Sequence, residues 1–140
     1  MSGLLDTGFL LAVLDADDEM HKSCSEALFA EPNPILPDVV LPELAYMVLS
    51  ELGYSVLTKF LASLQKSELA IEHFNPGDLK RTAEILSKYQ DNKVDFVDCA
   101  IVAIAERLNI FASYQINNFP LFCSIIAVLN IATSRSAPGY

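Results

Sequence analysis

Positive charge is scarce in this chain of 140 residues: Lys and Arg number 9 against 18 Asp and Glu, for a formal net charge of −9. The deficit lies in the first 51 residues, where ten acids face Lys22 alone, and the rest of the chain balances. A general nucleic-acid binder needs a basic surface for counterion release, and no basic run occurs. Any contact with RNA or DNA must therefore be local, metal-assisted, or supplied in part by another subunit.

Cysteine and histidine are also few. Cys24, Cys99 and Cys123 are odd in number, widely separated and set in apolar or helical surroundings, which excludes a disulfide framework and fits reduced thiols. His21 and His73 have no close Cys or His partner, so no zinc pattern forms. Neither histidine stands where a base for a serine or cysteine nucleophile would be recognised. No Gly-x-Gly-x-x-Gly follows the first apolar segment, which leaves a dinucleotide site without its phosphate cradle.

Long apolar runs are absent. Phe9 to Leu14 is typical, and the stretch from Ile125 to Ala132 carries Asn130, well short of the roughly 18 residues that a membrane span needs. The N-terminus lacks a basic region and places Asp6 inside what would be the apolar part of a signal peptide, so secretion is not indicated and the cytoplasm is the expected location. Without repeats, low-complexity stretches or a proline-rich linker, the chain reads as a single domain over residues 1–140.

What is present is apolar and periodic. Hydrophobic residues make up 52% and charged residues 19% of the chain. A chain of this size buries roughly 68–70% of its unfolded surface and supports a core without staples. Gly3-Leu4-Leu5 reads as a strand ending at Asp6-Thr7-Gly8, with a short helix over Phe9 to Leu14. A second helix is expected from Asp18 to Ala30. Ile35-Leu36, bracketed by Pro34 and Pro37, is too short for more than an edge strand or an extended link.

Asp38 then precedes a long apolar helix that runs to Leu52, with Pro42 fitting its first position and Gly53 as its stop. Val56 to Lys66 places Leu57, Phe60, Leu61 and Leu64 on one face, and Leu69-Ala70-Ile71 is a further strand. Asn75-Pro76-Gly77-Asp78 opens a helix to about Tyr89 with Leu79, Ala83 and Leu86 together. Phe96 to Asn109 is the next, with Ile101, Ile104, Ala105 and Leu108 as its core stripe. Ile110–Ser113 and Ala127–Ile131 complete the strand candidates. Short apolar strands alternating with amphipathic helices indicate βαβ units and an α/β fold with a mainly parallel sheet covered on both faces. Ligands in such folds sit beyond the carboxyl ends of the strands, and Asp6 stands at one.

Several acids occupy costly positions. Asp98, with Ile101, Ala105 and Leu108, follows the spacing of a buried helical stripe, where an isolated carboxylate needs a partner. Glu43 follows Pro42 in an apolar helix, and its plainer reading is interaction with the helix dipole. For Asp6 the corresponding plain reading is an N-cap. Asp95 shares a helical turn with Asp98 or caps the same helix, capping being the stronger role. Asp15, Asp17, Asp18 and Glu19 read as solvated surface. Three acids at strand ends and helix starts, converging where the sheet opens, would repel one another unless a hard divalent cation lay between them. Mg²⁺ or Mn²⁺ is the expected ion, and hydrolysis of a phosphodiester is the chemistry that such a site supports.

The order of these motifs resembles the PIN domain, the metal-dependent ribonuclease fold that includes the VapC-type toxins of bacterial toxin–antitoxin pairs. The residues that carry the resemblance are Leu4-Leu5-Asp6-Thr7-Gly8-Phe9-Leu10-Leu11, Leu41-Pro42-Glu43-Leu44-Ala45-Tyr46 and Asp95-Phe96-Val97-Asp98-Cys99-Ala100-Ile101-Val102-Ala103, within a span of about residues 3 to 119. It implies a three-layer α/β/α sandwich with a small, mainly parallel sheet. Metal ligation by Asp6, Glu43 and Asp98 is implied, with Asp95 nearby and Thr7, Ser113, Gln115 and Asn118 as substrate or phosphate contacts. It also implies an RNA substrate, a homodimer, and a smaller antitoxin protein that holds the toxin inactive. The sequence departs from the family at Ala112-Ser113-Tyr114-Gln115-Ile116-Asn117-Asn118-Phe119, where Gln115 stands in place of an acid. An amide oxygen is a neutral ligand, so the site loses one negative charge. Two expectations stand side by side: a ribonuclease toxin using three acids, or a degenerate relative that binds RNA or a protein without cutting.

Overall fold

The computed structural model describes residues 3–110. The chain divides between His73 and Phe74 into two compact units. The first runs β1 (Gly3–Leu4), α1 (Thr7–Leu14), α2 (His21–Ala30), β2 (Pro34–Pro37), α3 (Val40–Glu51), α4 (Tyr54–Lys66) and β3 (Ala70–Glu72). Its strands form a sheet in the order β1-β2-β3, and both pairings are parallel. The α/β class and the parallel sheet agree with the alternation of elements in the sequence.

The segment expected at an edge is instead the central strand of this sheet. Leu4 pairs with Ile35, and Ile35, Leu36 and Pro37 pair with Ala70, Ile71 and Glu72. The prolines are tolerated because they stand at the two ends of β2. On its β1 side the strand serves as an acceptor, with Gly3 N–H donating to the Asn33 carbonyl and Leu5 N–H to that of Ile35. Leu36 is fully buried.

Helix boundaries moved for local reasons. α2 starts at His21 rather than Asp18 because the Asp15 and Asp18 carboxylates accept from the N–H groups of Asp17 and Met20, fixing turns in place of a helical start. In α3 the first helical residue is Val40, so Pro42 is the third and not the first. Its missing N–H is still one of those with no intrahelical acceptor. Val40, Leu44 and Val48 form the buried stripe of α3, which packs against α1, α4 and β2.

The face expected to bury α4 does not do so: none of its residues is buried, and Leu61 is 40% exposed. Its spacing is amphipathic, but its packing on α3 covers Leu57, Phe60 and Leu64 only in part. Gly53, between the two helices, has φ +87°, the left-handed backbone that glycine adopts without penalty.

The second unit contains α5 (Pro76–Lys88), a 3₁₀ turn at Gln90–Asn92 and α6 (Phe96–Arg107). The buried residues of α5 are Asp78, Thr82 and Ile85, followed by Tyr89, and Leu79 is 54% exposed. Of the expected face, Leu79 and Ala83 are therefore exposed and Leu86 is only partly buried. A polar stripe won because its groups are satisfied: Thr82 Oγ1 donates to the Asp78 carbonyl, and Arg107 binds the Asp78 carboxylate. In α6 every residue from Cys99 to Ala105 is buried, whereas Leu108 is partly exposed. A helix apolar on all sides has no single core stripe. The strand candidates at Ile110–Ser113 and Ala127–Ile131, apart from Ile110 itself, lie outside the described residues, as does Cys123.

Candidate active site

In the first unit the sequence places an acid directly after β1. Asp6 has extended backbone, φ −100° and ψ 172°, and its Oδ1 accepts the Phe9 N–H at 2.8 Å, so the N-cap reading holds. A cap on a surface helix is usually wet, but this one is only 7% exposed. Burial is the main influence on its ionisation and pushes its pKa up. The Phe9 N–H opposes that, and the negative charge of Glu43 raises it further, leaving Asp6 above the ordinary carboxylate range. Glu43 lies in the first turn of α3, partly buried, where the apolar stripe seats that helix. The structure thus brings Asp6 and Glu43 within electrostatic reach of each other.

Thr7, the next residue, is buried, and its Oγ1 has no hydrogen-bond partner among the described residues. An orphaned buried hydroxyl is costly. A buried carboxylate with a second acid beside it, and a hydroxyl lacking a partner next in the chain, make a set of hard oxygen donors with excess negative charge. That set fits a divalent cation of the Mg²⁺ or Mn²⁺ kind.

In the second unit Asp95 caps α6, its Oδ1 accepting the Asp98 N–H at 2.8 Å. Capping is therefore the role of Asp95 that the geometry shows. Asp98 is half-buried in the first turn and does not lie on a fully buried stripe, contrary to its sequence spacing. Behind both acids, Cys99 is fully buried. Burial first, then the charges of Asp95 and Asp98, push its thiol up to about 11, which makes it an inert core residue. Within either unit, no three described His, Cys, Asp or Glu side chains gather closely enough to hold a metal ion. Asp6 and Glu43 belong to one unit, Asp95 and Asp98 to the other. Ser113, Gln115 and Asn118 lie outside the described residues.

Two polar features were not singled out in the sequence. One is the buried Asp78, whose partner Arg107 stands 29 positions away and leaves no local signal. Burial works to raise the Asp78 pKa, but the Arg107 hydrogen bonds, the Asn75 N–H and the Arg107 charge outweigh it and hold the carboxyl below its ordinary range. The other is His73, whose Nδ1 lies 3.0 Å from Asp38 Oδ2 across the ends of β3 and β2. Only the register of the sheet brings these two together.

A sheet with acids beyond its strands and a helix start capped by an acid defines a class, and the comparison with known sequences agrees. The chain belongs to the PIN domain family, whose model matches residues 3–114. It is similar to Ribonuclease VapC26 of Mycobacterium tuberculosis, with 28% identity over 105 residues covering 74% of this chain and 78% of that protein. Among solved structures it is similar to Mycobacterium tuberculosis VapC20, described as a sarcin-ricin loop cleaving toxin, with a TM-score of 0.71 and 20% identity. That match covers 78% of this chain and 84% of the other, and shows a shared fold.

Proposed function

We propose that the protein is a divalent-metal-dependent endoribonuclease that hydrolyses RNA phosphodiesters, the toxin of a toxin–antitoxin pair. The observation that carries this reading is Asp6, a nearly buried carboxylate at the carboxyl end of β1 whose pKa is raised by burial and by Glu43. An acid kept in so unfavourable a place has a use for its charge. Membership of the PIN family and similarity to a named ribonuclease supply the class of reaction. The family model runs from residue 3 to residue 114 and so includes residues of both units, which supports reading them as parts of one domain.

In this reading Asp6, Glu43 and Asp98 would hold Mg²⁺ or Mn²⁺, with Asp95 as a further candidate ligand. When bound, such an ion would supply a more acidic water and positive charge opposite the phosphodiester oxygens. Asp6 presents one carboxylate oxygen already oriented by the Phe9 N–H. Glu43 binds the ion or orients the attacking water. Thr7 offers its unsatisfied hydroxyl to substrate, and Ser113, Gln115 and Asn118 contact phosphate. Partners are an RNA substrate, a second copy of the chain, and an antitoxin. Apolar side chains that the first unit leaves exposed, among them Phe29 at 94%, Tyr46 at 75% and Tyr54 at 74%, support a surface that such a protein covers. No described helix is long and apolar enough to cross a membrane, and the cytoplasm, where RNA is met, is the proposed site of action.

The test is cleavage of a mixed structured RNA by the purified protein with Mg²⁺ or Mn²⁺, beside an Asp6→Asn, Asp98→Asn double variant and an EDTA control. Metal-dependent cutting that the variant loses is the expected result. Gln115 is the residue that favours a second reading, a domain that binds RNA or protein without cutting. Absence of cutting at high enzyme concentration would favour that reading.

A further inference from the structure

The start of α6 carries an aromatic side chain that neither the cap nor the core of that helix uses. Phe96 is its first residue, directly after the cap Asp95 and two residues before Asp98. A hydrophobic staple at a helix start joins the residue before the cap to the fourth helical position, here Val94 and Cys99, and leaves Phe96 out. The buried run of α6 begins only at Cys99, and Phe96 is 45% exposed. A ring of that size has much to gain from burial. Phe96 is nonetheless held on one side, since Phe74 packs against it in an edge-to-face pair with ring centroids 5.9 Å apart and planes at 66°. Phe29 is more exposed, at 94%, but α2 holds none of the candidate metal ligands.

From this we infer that Phe96, braced by Phe74, stacks against a base of the RNA next to the scissile phosphate. The inference rests on the ribonuclease reading, in which Asp98 would hold the metal. Charge favours stacking over ion pairing at this place. Asp91, Asp95 and Asp98 flank Phe96 in the sequence, and the arginines of α5 and α6 are engaged by carboxylates, Arg81 by Glu106 and Arg107 by Asp78. A chain of net charge −9 gains little affinity from phosphates. Stacking of a base on an aromatic ring needs no positive charge, and it tolerates any sequence because every base has a π face. Phe96 is then a substrate-contacting residue outside the metal ligands, and Phe74 is its positioning residue.

The experiment measures kcat/KM on an oligoribonucleotide that the protein cleaves, and Kd for the same oligonucleotide on an Asp6→Asn background, which leaves the surroundings of Phe96 unaltered. Phe96→Ala should raise Kd about tenfold and lower kcat/KM by a similar factor, the value of one base stacked on an aromatic ring. Phe96→Tyr should bind as the unaltered ring does, whereas Phe96→Leu, which keeps apolar bulk without a π face, should not. Abasic sites placed one at a time along the oligonucleotide locate the stacked base. At one position the loss from the abasic site and the loss from Phe96→Ala should fail to add, and Phe74→Leu should weaken that same coupling. Because stacking releases no counterions, the ratio of Kd values should hold as salt is raised. Phe96→Leu binding as tightly as the unaltered protein, or losses that add at every position, would overturn this inference alone. So would a Phe96→Ala protein that loses RNA by losing a dimer that Phe96→Leu preserves, since the ring would then belong to an interface between copies. No cleavage and no binding by the unaltered protein would overturn the ribonuclease reading and this inference with it.

Discussion

Arg107 grips Asp78 with two hydrogen bonds, Nε to Oδ1 at 2.8 Å and Nη2 to Oδ2 at 3.0 Å, and so ties the last turn of α6 to the first turn of α5. The same carboxylate accepts the Asn75 N–H, and Asn75 Oδ1 in turn accepts the Asp78 N–H, which closes a capping box. One acid thus completes a cap and anchors a helix pair. Arg81 reinforces the pair with two bonds to Glu106.

Breaking this fork has a predictable cost. Arg107→Leu leaves Asp78 buried without its cation and should destabilise the protein by about 2–3 kcal/mol, less than a fully buried pair because the Arg107 side chain is 32% exposed. Urea denaturation of the variant beside the unaltered protein checks it. The pH dependence follows from the depressed pKa. Asp78 contributes its full stabilisation above its ordinary value of 3.8, and that contribution disappears as the pH falls through the lower folded value. The acid limb of the stability profile should be shallower in Asp78→Asn.

Gly53 offers a test of backbone strain alone. An added Cβ there meets nothing within 4 Å, but φ is +87°. Gly53→Ala should cost about 1 kcal/mol, with no change in the residues packed around α3 and α4. A chemical denaturation midpoint that does not move would show that the link between these helices relaxes.

How far the sequence reached depends on the range of the interaction. Local chemistry was legible: Asp6 and Asp95 cap helices as their positions suggest, and Gly53 stops α3. The acids at the strand end and the helix starts also pointed to the PIN family. What failed was nonlocal. Nothing near Ile35-Leu36 says that two other strands flank it, and nothing near Asp78 announces Arg107. The face of α5 was read from its leucines, because a buried Asp-Thr stripe looks like a solvent face until its partners are known. α4 failed for the opposite reason, since an amphipathic pattern tells which side is apolar and not how deeply it is covered.

Asp6 bears on the metal question without any activity assay. At neutral pH its ionised form pays for burial and for the nearness of Glu43. Asp6→Asn keeps an oxygen for the Phe9 N–H while removing the charge, so the metal-free variant should melt a few degrees higher than the unaltered protein, for a gain of about 1 kcal/mol. Millimolar Mn²⁺ should raise the melting temperature of the unaltered protein and leave the variant where it was. A variant that melts lower without metal would show that the Asp6 carboxylate serves the fold, and the expected metal site would lose its principal ligand.

Gln115, where the resemblance leads one to expect an acid, allows the charge argument to be tested by gain instead of loss. A hard cation is held by the summed negative charge of its oxygen ligands, and a neutral amide contributes a dipole where a carboxylate would contribute a full charge. Gln115→Asp should therefore lower the Mn²⁺ concentration needed for half-maximal thermal stabilisation by about tenfold, and raise RNA cleavage at limiting metal more than at saturating metal. Equal stimulation at both metal concentrations would place the benefit in substrate contact and not in metal affinity. A variant with weaker metal binding than the unaltered protein would mean that the three acids already satisfy the ion, so that a fourth charge only adds repulsion.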